Sequence, residues 1–283
     1  MVKIGLISLA HMHGLSYGRA LQASSQAQFV GIYDRDEQRG SRYAKEFGVE
    51  YFPDLSMLLK SVDAVIICSE NALHAEYTLA AARAGKHVMC EKPLATNLDD
   101  AYAMVRACEE NGVILQTAFP MRYSTPVVRG KEIVASGALG KIVAFSGTNR
   151  GKMPPGWFLD PELAGGGAVF DHTVHVTDLM RWYLGCEVKE VYAEVDTALH
   201  EGIAVDDLGL LTMEFTDGTV ATLDPSWSRP KTFPTWGDVT LRVIGTAGTL
   251  AVDAFAQIGQ VFSDELGQYQ YHFWGDNADQ AMV

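Results

Sequence analysis

Across residues 1–119, short apolar runs alternate with stretches of helical period, and that alternation leaves few folds open. Lys3 to Ser8, Phe29 to Tyr33, Ala64 to Cys68, His87 to Cys90 and Val113 to Gln116 read as strands. Leu15 to Ala23, Asp36 to Phe47, Ala72 to Ala84 and Leu98 to Glu110 read as the helices between them, each ending near a glycine or turn signal. Strands joined by crossover helices lie parallel in one sheet with helices on its faces, so residues 1–119 are expected to form a doubly wound parallel α/β domain. After "FPMRYSTP" the pattern changes to one helix (Pro126 to Ser136), a strand from Ile142, a glycine-rich loop, another helix, and then strand-like segments. These are Val188 to Leu199, Leu208 to Phe215, Thr219 to Asp224, Val239 to Ile244 and Thr249 to Asp253, with "TDGT" (216–219) as a tight Asp-Gly turn supplying positive φ angles. Residues 120–283 therefore read as an α+β domain with a mostly antiparallel open sheet.

Charge narrows the partners. The chain of 283 residues carries a formal net charge of −13, which argues against nucleic acid or an anionic membrane surface and for a small neutral ligand. No apolar run approaches the ~18 residues of a membrane span, and "MVKIGLIS" is too short for a signal peptide, so a soluble cytoplasmic protein is expected. Cys68, Cys90, Cys108 and Cys186 form no CxxC pair and match neither a zinc pattern nor a disulfide framework. The end, "WGDNADQAMV", reads as a helix start capped by Asp276 or Asn277 with about one turn to follow, either a truncated chain or a vestigial helix.

The first strand leads into "GLISLAHMHG" (5–14), where a dinucleotide-binding loop would carry three spaced glycines. Ser8, Ala10 and His13 stand in those places. Serine and alanine are the least bulky replacements, so backbone N–H groups at the helix start still point at an anion. His13 is the larger departure; with Gly14 next, His11, Met12 and His13 sit near the expected phosphates. Asp34 closes "FVGIYD", where a carboxylate accepts both ribose hydroxyls of NAD and repels a 2′-phosphate. Arg35 beside it either stacks on adenine or softens that repulsion, so NAD is favoured and NADP remains open. Each feature alone is also compatible with an ordinary strand leading into a helix.

"VDAVIICSENALHAEYTLAAARAGKHVMCEKPLA" (62–95), "GALGKIVAFSGTNRG" and "GWFLDPELAGGGAVFDHTVHVTDLMRWYLG" together resemble the glucose-fructose oxidoreductase, inositol dehydrogenase and MocA family. The resemblance covers nearly the whole chain and implies NAD(P)-dependent hydride transfer on a sugar, inositol or related polyol. It implies Lys92 of "EKP", Asp171 and His175 as the catalytic set, with His175 as base, Asp171 as its orienter or a substrate hydrogen-bonder, and Lys92 as polariser and proton relay. Removing a proton from a secondary alcohol needs a base of near-neutral pKa, which histidine supplies. Ser69, Glu70, Asn71 and His74 of "SENALH", with Glu91, match positions near the cofactor, although His74 equally suits a cap or packing role. Arg122, Tyr123, Trp157 and His172 are candidate substrate-pocket residues, and Trp227 suits either a sugar face or the core. No metal is expected: His172 and His175 lack a placed third ligand, and hydride transfer needs none. A homodimer or homotetramer is implied, because an open sheet face should not stay bare. Two other readings stay open, an NAD-dependent glycosidase with transient redox and a non-catalytic dinucleotide-binding protein.

Overall fold

Neighbouring residues of the first strands feed opposite faces of one sheet, which is why those strands read as unbroken apolar runs rather than alternating ones. The computed structural model describes residues 1–283, the side chain of Gln268 excepted. Its chain divides into two compact units, the first comprising residues 1–119, 162–165 and 279–283, the second residues 120–161 and 166–278.

In the first unit, β1 (Val2–Ile7), α1 (His13–Ala23), β2 (Ala27–Tyr33), α2 (Glu37–Phe47), β3 (Glu50–Phe52), α3 (Leu55–Ser61), β4 (Ala64–Ile67), α4 (His74–Arg83), β5 (His87–Cys90), α5 (Leu98–Glu110) and β6 (Leu115–Thr117) follow in order. The six strands lie all parallel in the order β3-β2-β1-β4-β5-β6, the doubly wound arrangement expected. Ile7, Val65, Ile67, Val88 and Met104 pack with Leu58 and Tyr77 on one face, while Leu6, Ile32 and Ile66 pack with Tyr17, Leu21 and Phe47 on the other. Burial of each such side chain contributes roughly 1.5–3 kcal/mol, so both faces anchor the sheet. Asp36 caps α2 by accepting from Arg39 N–H, Gly48 ends it at φ 65°, and Asn97 caps α5. The pair β3 and α3 is absent from the sequence reading. A strand of three residues is too short to show a period, and α3, capped by Asp54, spans only seven.

The second unit contains α6 (Thr125–Ala135), β7 (Ile142–Thr148), α7 (Pro161–Ala164, most of which counts with the first unit), α8 (Ala168–Leu184), β8 (Val188–Asp196), β9 (Leu208–Phe215), β10 (Val220–Asp224), β11 (Thr240–Gly245), β12 (Gly248–Asp253), β13 (Ile258–Ser263) and β14 (Gln268–Phe273). Eight strands form one sheet, β14-β13-β12-β11-β7-β10-β9-β8, antiparallel throughout except for β10 on β7. Helix α8 lays Val176, Leu179, Met180 and Tyr183 onto Phe145, Leu211, Phe215 and Val243. Gly147 permits that approach, since a Cβ there would stand 2.6 Å from Val176 Cγ1. At the "TDGT" turn only Gly218 takes a positive φ (84°); Asp217 instead accepts from Thr219 N–H through its side chain. The turn thus needs one left-handed residue, not two. Strands β13 and β14 extend the sheet beyond those read from the sequence.

The chain end corrects the domain division. In α9 (Ala278–Met282), Asp279 accepts from Ser16 Oγ at 2.5 Å, and Met282 is buried among Leu6, Tyr17 and Leu21, so residues 279–283 pack with the first unit.

Asp207 fixes the long connection from β8 to β9. Its fully buried carboxylate accepts from Ala198 N–H, Leu199 N–H and His200 N–H and faces His200 Nδ1 at 3.0 Å. Burial works to raise its pKa, but those N–H groups outweigh it and hold the carboxyl below its usual range. A carboxyl depressed in the folded state stabilises fully above its unfolded pKa of about 3.9 and loses that contribution as pH falls through the folded value. Asp207→Asn is expected to lower stability by about 2 kcal/mol near neutral pH. In denaturant melts, the gap from the parent protein should narrow as pH drops below about 4; a gap constant with pH would contradict the assignment.

Candidate active site

The strand-to-loop-to-helix step at residues 7–13 keeps the glycine-loop conformation without the glycines. Ser8 stands at φ 66°, in the left-handed region that a glycine would occupy freely. Its hydroxyl reaches Asp34 Oδ2 at 3.3 Å and accepts from Ala10 N–H, contacts that offset the strain. The close helix-to-strand packing of the third glycine passes to Gly14, where a Cβ would meet Leu9 Cγ at 3.3 Å and Cys68 Cβ at 3.4 Å. His13, freed from that duty, opens α1.

Asp34 is buried at the end of β2, as expected, but its carboxylate is not an open acceptor. Arg39 grips both oxygens at 2.8 Å, Leu9 N–H donates to Oδ2 and Asp36 N–H to Oδ1. Arg39 also lies 3.7 Å from Glu70. Arg35, which the sequence places beside Asp34, turns away into an exposed pair with Glu76. The partner of Asp34 is thus Arg39, the third residue of α2. The sequence offered no signal beyond its spacing of five residues.

Around the end of β5 a second cluster forms. Glu91 has no solvent exposure, and its backbone N–H is fixed to Ile67 O. Oε1 accepts from Tyr17 Oη at 2.6 Å and lies 2.9 Å from His13 Nδ1, while Oε2 accepts from Lys92 N–H. His11, buried, packs its ring 4.4 Å from that of His13. Burial would raise the Glu91 pKa, but His13, His11 and Lys92 outweigh it and hold the carboxyl well below its usual range. Burial would likewise lower the His13 pKa, but Glu91 outweighs it and holds the ring above its usual range. Tyr17 is pushed up by burial and by Glu91.

Lys92 is 3% exposed and follows β5 through a cis bond to Pro93. His74 braces this loop from beneath. Its fully buried ring has Nδ1 at 2.9 Å from Pro93 O and Nε2 at 3.3 Å from Ser69 O, and burial holds its pKa down. His74 is therefore a support for the lysine loop, a role the sequence left undecided. Ser69 is buried beside it. Asn71 donates from Nδ2 to Ala164 O at 2.9 Å, leaving Oδ1 buried with no partner among the described residues.

In the second unit, α8 carries Asp171, His172 and His175, each less than 9% exposed. The start of α8 is held by Asp206, whose carboxylate accepts from Gly167 N–H at 2.9 Å and Val169 N–H at 2.7 Å. A Cβ at Gly167 would stand 1.9 Å from Asp206 O, which explains the glycine there. His172 places Nδ1 3.1 Å from Pro225 O and Nε2 3.3 Å from Asp171 Oδ2, contacts satisfied together when the ring carries both protons. The sequence reading does not include this Asp171–His172 pairing. Arg122 is bound bidentately to Asp178 at 2.6 and 2.7 Å. Trp227 is 1% exposed, packed on Ala168 and Val205, and is core rather than a sugar platform. Trp157 stacks on Phe158 at 3.9 Å, and Tyr123 is 38% exposed.

Two family models match the chain. The first, described as an oxidoreductase family with an NAD-binding Rossmann fold, covers residues 2–119. The second, the GFO/IDH/MocA C-terminal domain, covers residues 127–251. Myo-inositol 2-dehydrogenase of Thermotoga maritima is 32% identical over 282 residues, 96% of this chain and 82% of that protein. The chain belongs to the GFO/IDH/MocA oxidoreductase family. Among solved structures, levoglucosan dehydrogenase in complex with NADH and levoglucosan superposes with a TM-score of 0.87 at 26% identity, covering 100% of this chain and 82% of that one. GenD2 from gentamicin A biosynthesis, in complex with NAD, gives 0.84 at 29% identity, covering 90% and 73%.

The residues present fit the family's dinucleotide. Met12, the residue before α1, makes no side-chain cap, although His11 Nδ1 accepts from His13 N–H at the helix start, and Asn71 Oδ1 is a buried acceptor without a partner among the described residues. Asp34, the expected ribose acceptor, is not a bare carboxylate but part of an Arg39–Asp34–Glu70 set. Asp34→Asn is expected to cost roughly 3 kcal/mol in a denaturant melt, because it leaves Arg39 without its counter-charge. Arg35→Ala should cost under about 0.5 kcal/mol, since an exposed ion pair contributes little. Equal losses in the two variants would refute the partner assignment.

Proposed function

We propose that this oxidoreductase transfers a hydride between NAD and a sugar, inositol or related polyol. The observation that carries the reading is Lys92, an ammonium 3% exposed at the carboxyl end of a central parallel strand, where open α/β sheets bind their ligands. When bound, the nicotinamide supplies the hydride acceptor or donor. His175 takes the proton of the reacting hydroxyl, Lys92 polarises that oxygen and relays the proton, and Asp171 binds or orients. His172, 3.3 Å from Asp171 Oδ2, lines the substrate site with Tyr123 and Trp157. Ser8, Ala10, His11, Met12 and His13 receive the pyrophosphate; Asp34 with Arg39 and Glu70 receives the adenosine ribose, and Ser69, Asn71 and Glu91 complete the cofactor side. Arg39, paired with Asp34, lets NADP bind, more weakly than NAD, rather than be refused.

In an absorbance assay with NAD and a panel of polyols and sugars, NADH is expected to accumulate. Lys92→Ala and His175→Ala should each lower kcat/KM by at least about 100-fold, the usual reach of proton-transfer catalysis, while a thermal shift with NAD persists. An unchanged rate in Lys92→Ala would sink the assignment.

The second unit is the substrate-binding and self-association domain in this reading. Tyr192, Leu210 and Val220, exposed at 64%, 60% and 48%, line one face of adjacent strands β8, β9 and β10, and a second copy of the chain covers them in a dimer or tetramer. Light scattering should give two or four chains per particle, and Leu210→Glu should shift it to one; a monomeric parent protein would contradict this. Cytoplasmic residence suits the four free cysteines, three of them buried. Among the described residues no helix is long and apolar enough to cross a membrane.

A further inference from the structure

Two imidazoles and a carboxylate converge where the dinucleotide loop should carry glycine. Potential ligand atoms of His11, His13 and Glu91 all lie within 4.8 Å of one another. The three come from two rigid supports. The loop after β1 is pinned by His11 N–H to Cys68 O at 2.9 Å, and the end of β5 by Glu91 N–H to Ile67 O at 3.0 Å. Residue 13 opens α1, and the turn through Met12 brings the His13 ring back beside that of His11, 4.4 Å between centroids.

We infer that His11, His13 and Glu91 form a mononuclear site for a divalent transition metal of the zinc class. Two nitrogens and one carboxylate oxygen are a zinc-type donor set, whereas magnesium and calcium seek oxygen throughout. Three protein ligands leave a fourth position for water or an oxygen of a bound ligand, the pattern of open rather than purely structural zinc sites. A tetrahedral ion asks for ligand separations of about 3.3 Å. His13 Nδ1 and Glu91 Oε1, at 2.9 Å, already stand near that value, so His11 makes most of the adjustment. His11 Nδ1 now accepts a 3.2 Å bond from His13 N–H, at the long end of the range, and ligation exchanges that contact. Tyr17 Oη, 2.6 Å from Glu91 Oε1, remains as an outer hydrogen bond that orients the carboxylate. The site goes beyond the oxidoreductase reading, which requires no metal, and it reverses the expectation drawn from the sequence.

The test uses full-length, untagged protein stripped with chelator and dialysed into metal-free buffer. Titration with Co2+ should give the visible ligand-field absorption of a tetrahedral complex, saturating at one ion per chain and displaced by Zn2+. His11→Ala, His13→Ala and Glu91→Gln should each weaken binding at least about 100-fold and Tyr17→Phe about 10-fold. His272→Ala, an exposed imidazole elsewhere, should leave binding unchanged. Circular dichroism identifies any variant that fails to fold, and the parent titration decides the matter without them. No tetrahedral cobalt spectrum in the parent protein, or a cobalt affinity in folded His11→Ala and His13→Ala unchanged from the parent, overturns the site. NAD binding is scored separately by thermal shift, so failure of the metal site and failure of the oxidoreductase reading are distinct results.

Discussion

A carboxylate with no access to water governs the organisation of the first unit. An isolated ion in that position would be costly enough to neutralise itself, so Glu91 requires donors and positive charge on every side. Tyr17, His13, His11 and the Lys92 N–H supply them. The requirement runs back into the sequence. Histidine at position 13 cannot serve the close packing that glycine would serve there, and Gly14 takes that over. It also runs forward into function, because Glu91 is the residue before Lys92. Fixing its carboxylate and the Pro93 carbonyl, the latter through His74, fixes the lysine backbone from both sides.

The second unit meets an analogous problem with backbone rather than side chain. Helix α8 must start close to a neighbouring strand end while carrying three buried polar residues in its first two turns. Asp206 satisfies the helix start through Gly167 and Val169 N–H, and Gly151 leaves room for the His172 ring, 2.6 Å from where a Cβ would stand. Asp207 then ties the preceding loop through three backbone donors. Two adjacent aspartates thus hold both the helix that carries Asp171, His172 and His175 and the connection beside it.

What could be read from the sequence follows from which forces are local. The parallel sheet was legible because its strands are buried on both faces and its helices carry their own caps, as Asp36 and Gly48 do for α2. The three-residue β3 and seven-residue α3 were not, because elements that short are defined by what they pair with. The same distinction divides the site. Lys92, Asp171 and His175 stood in motifs, whereas Arg39 reaches Asp34 only once α2 is folded, and Tyr17 reaches Glu91 across 74 positions. Residue type alone left Trp227 between a sugar face and the core, and only the packing of the Ala168–Val205 cluster decides for the core, just as only the fold pairs Arg122 with Asp178.

The loop at residues 8–13 also shows what replacing glycine does to an anion site. A glycine loop offers backbone N–H groups, fixed partial charges that no pH change removes. Here several of those groups are committed internally: Ser8 N–H to Tyr33 O, Leu9 N–H to Asp34, Ala10 N–H to Ser8 Oγ and His11 N–H to Cys68 O. Side chains stand where backbone would have worked, and side chains can carry full charge or bind an ion. The His13 ring keeps 29% exposure while Glu91 behind it has none, so the imidazole is the face this cluster turns outward. Because Glu91 holds that ring above its usual pKa range, the loop presents a titratable group where a glycine loop presents only neutral amides.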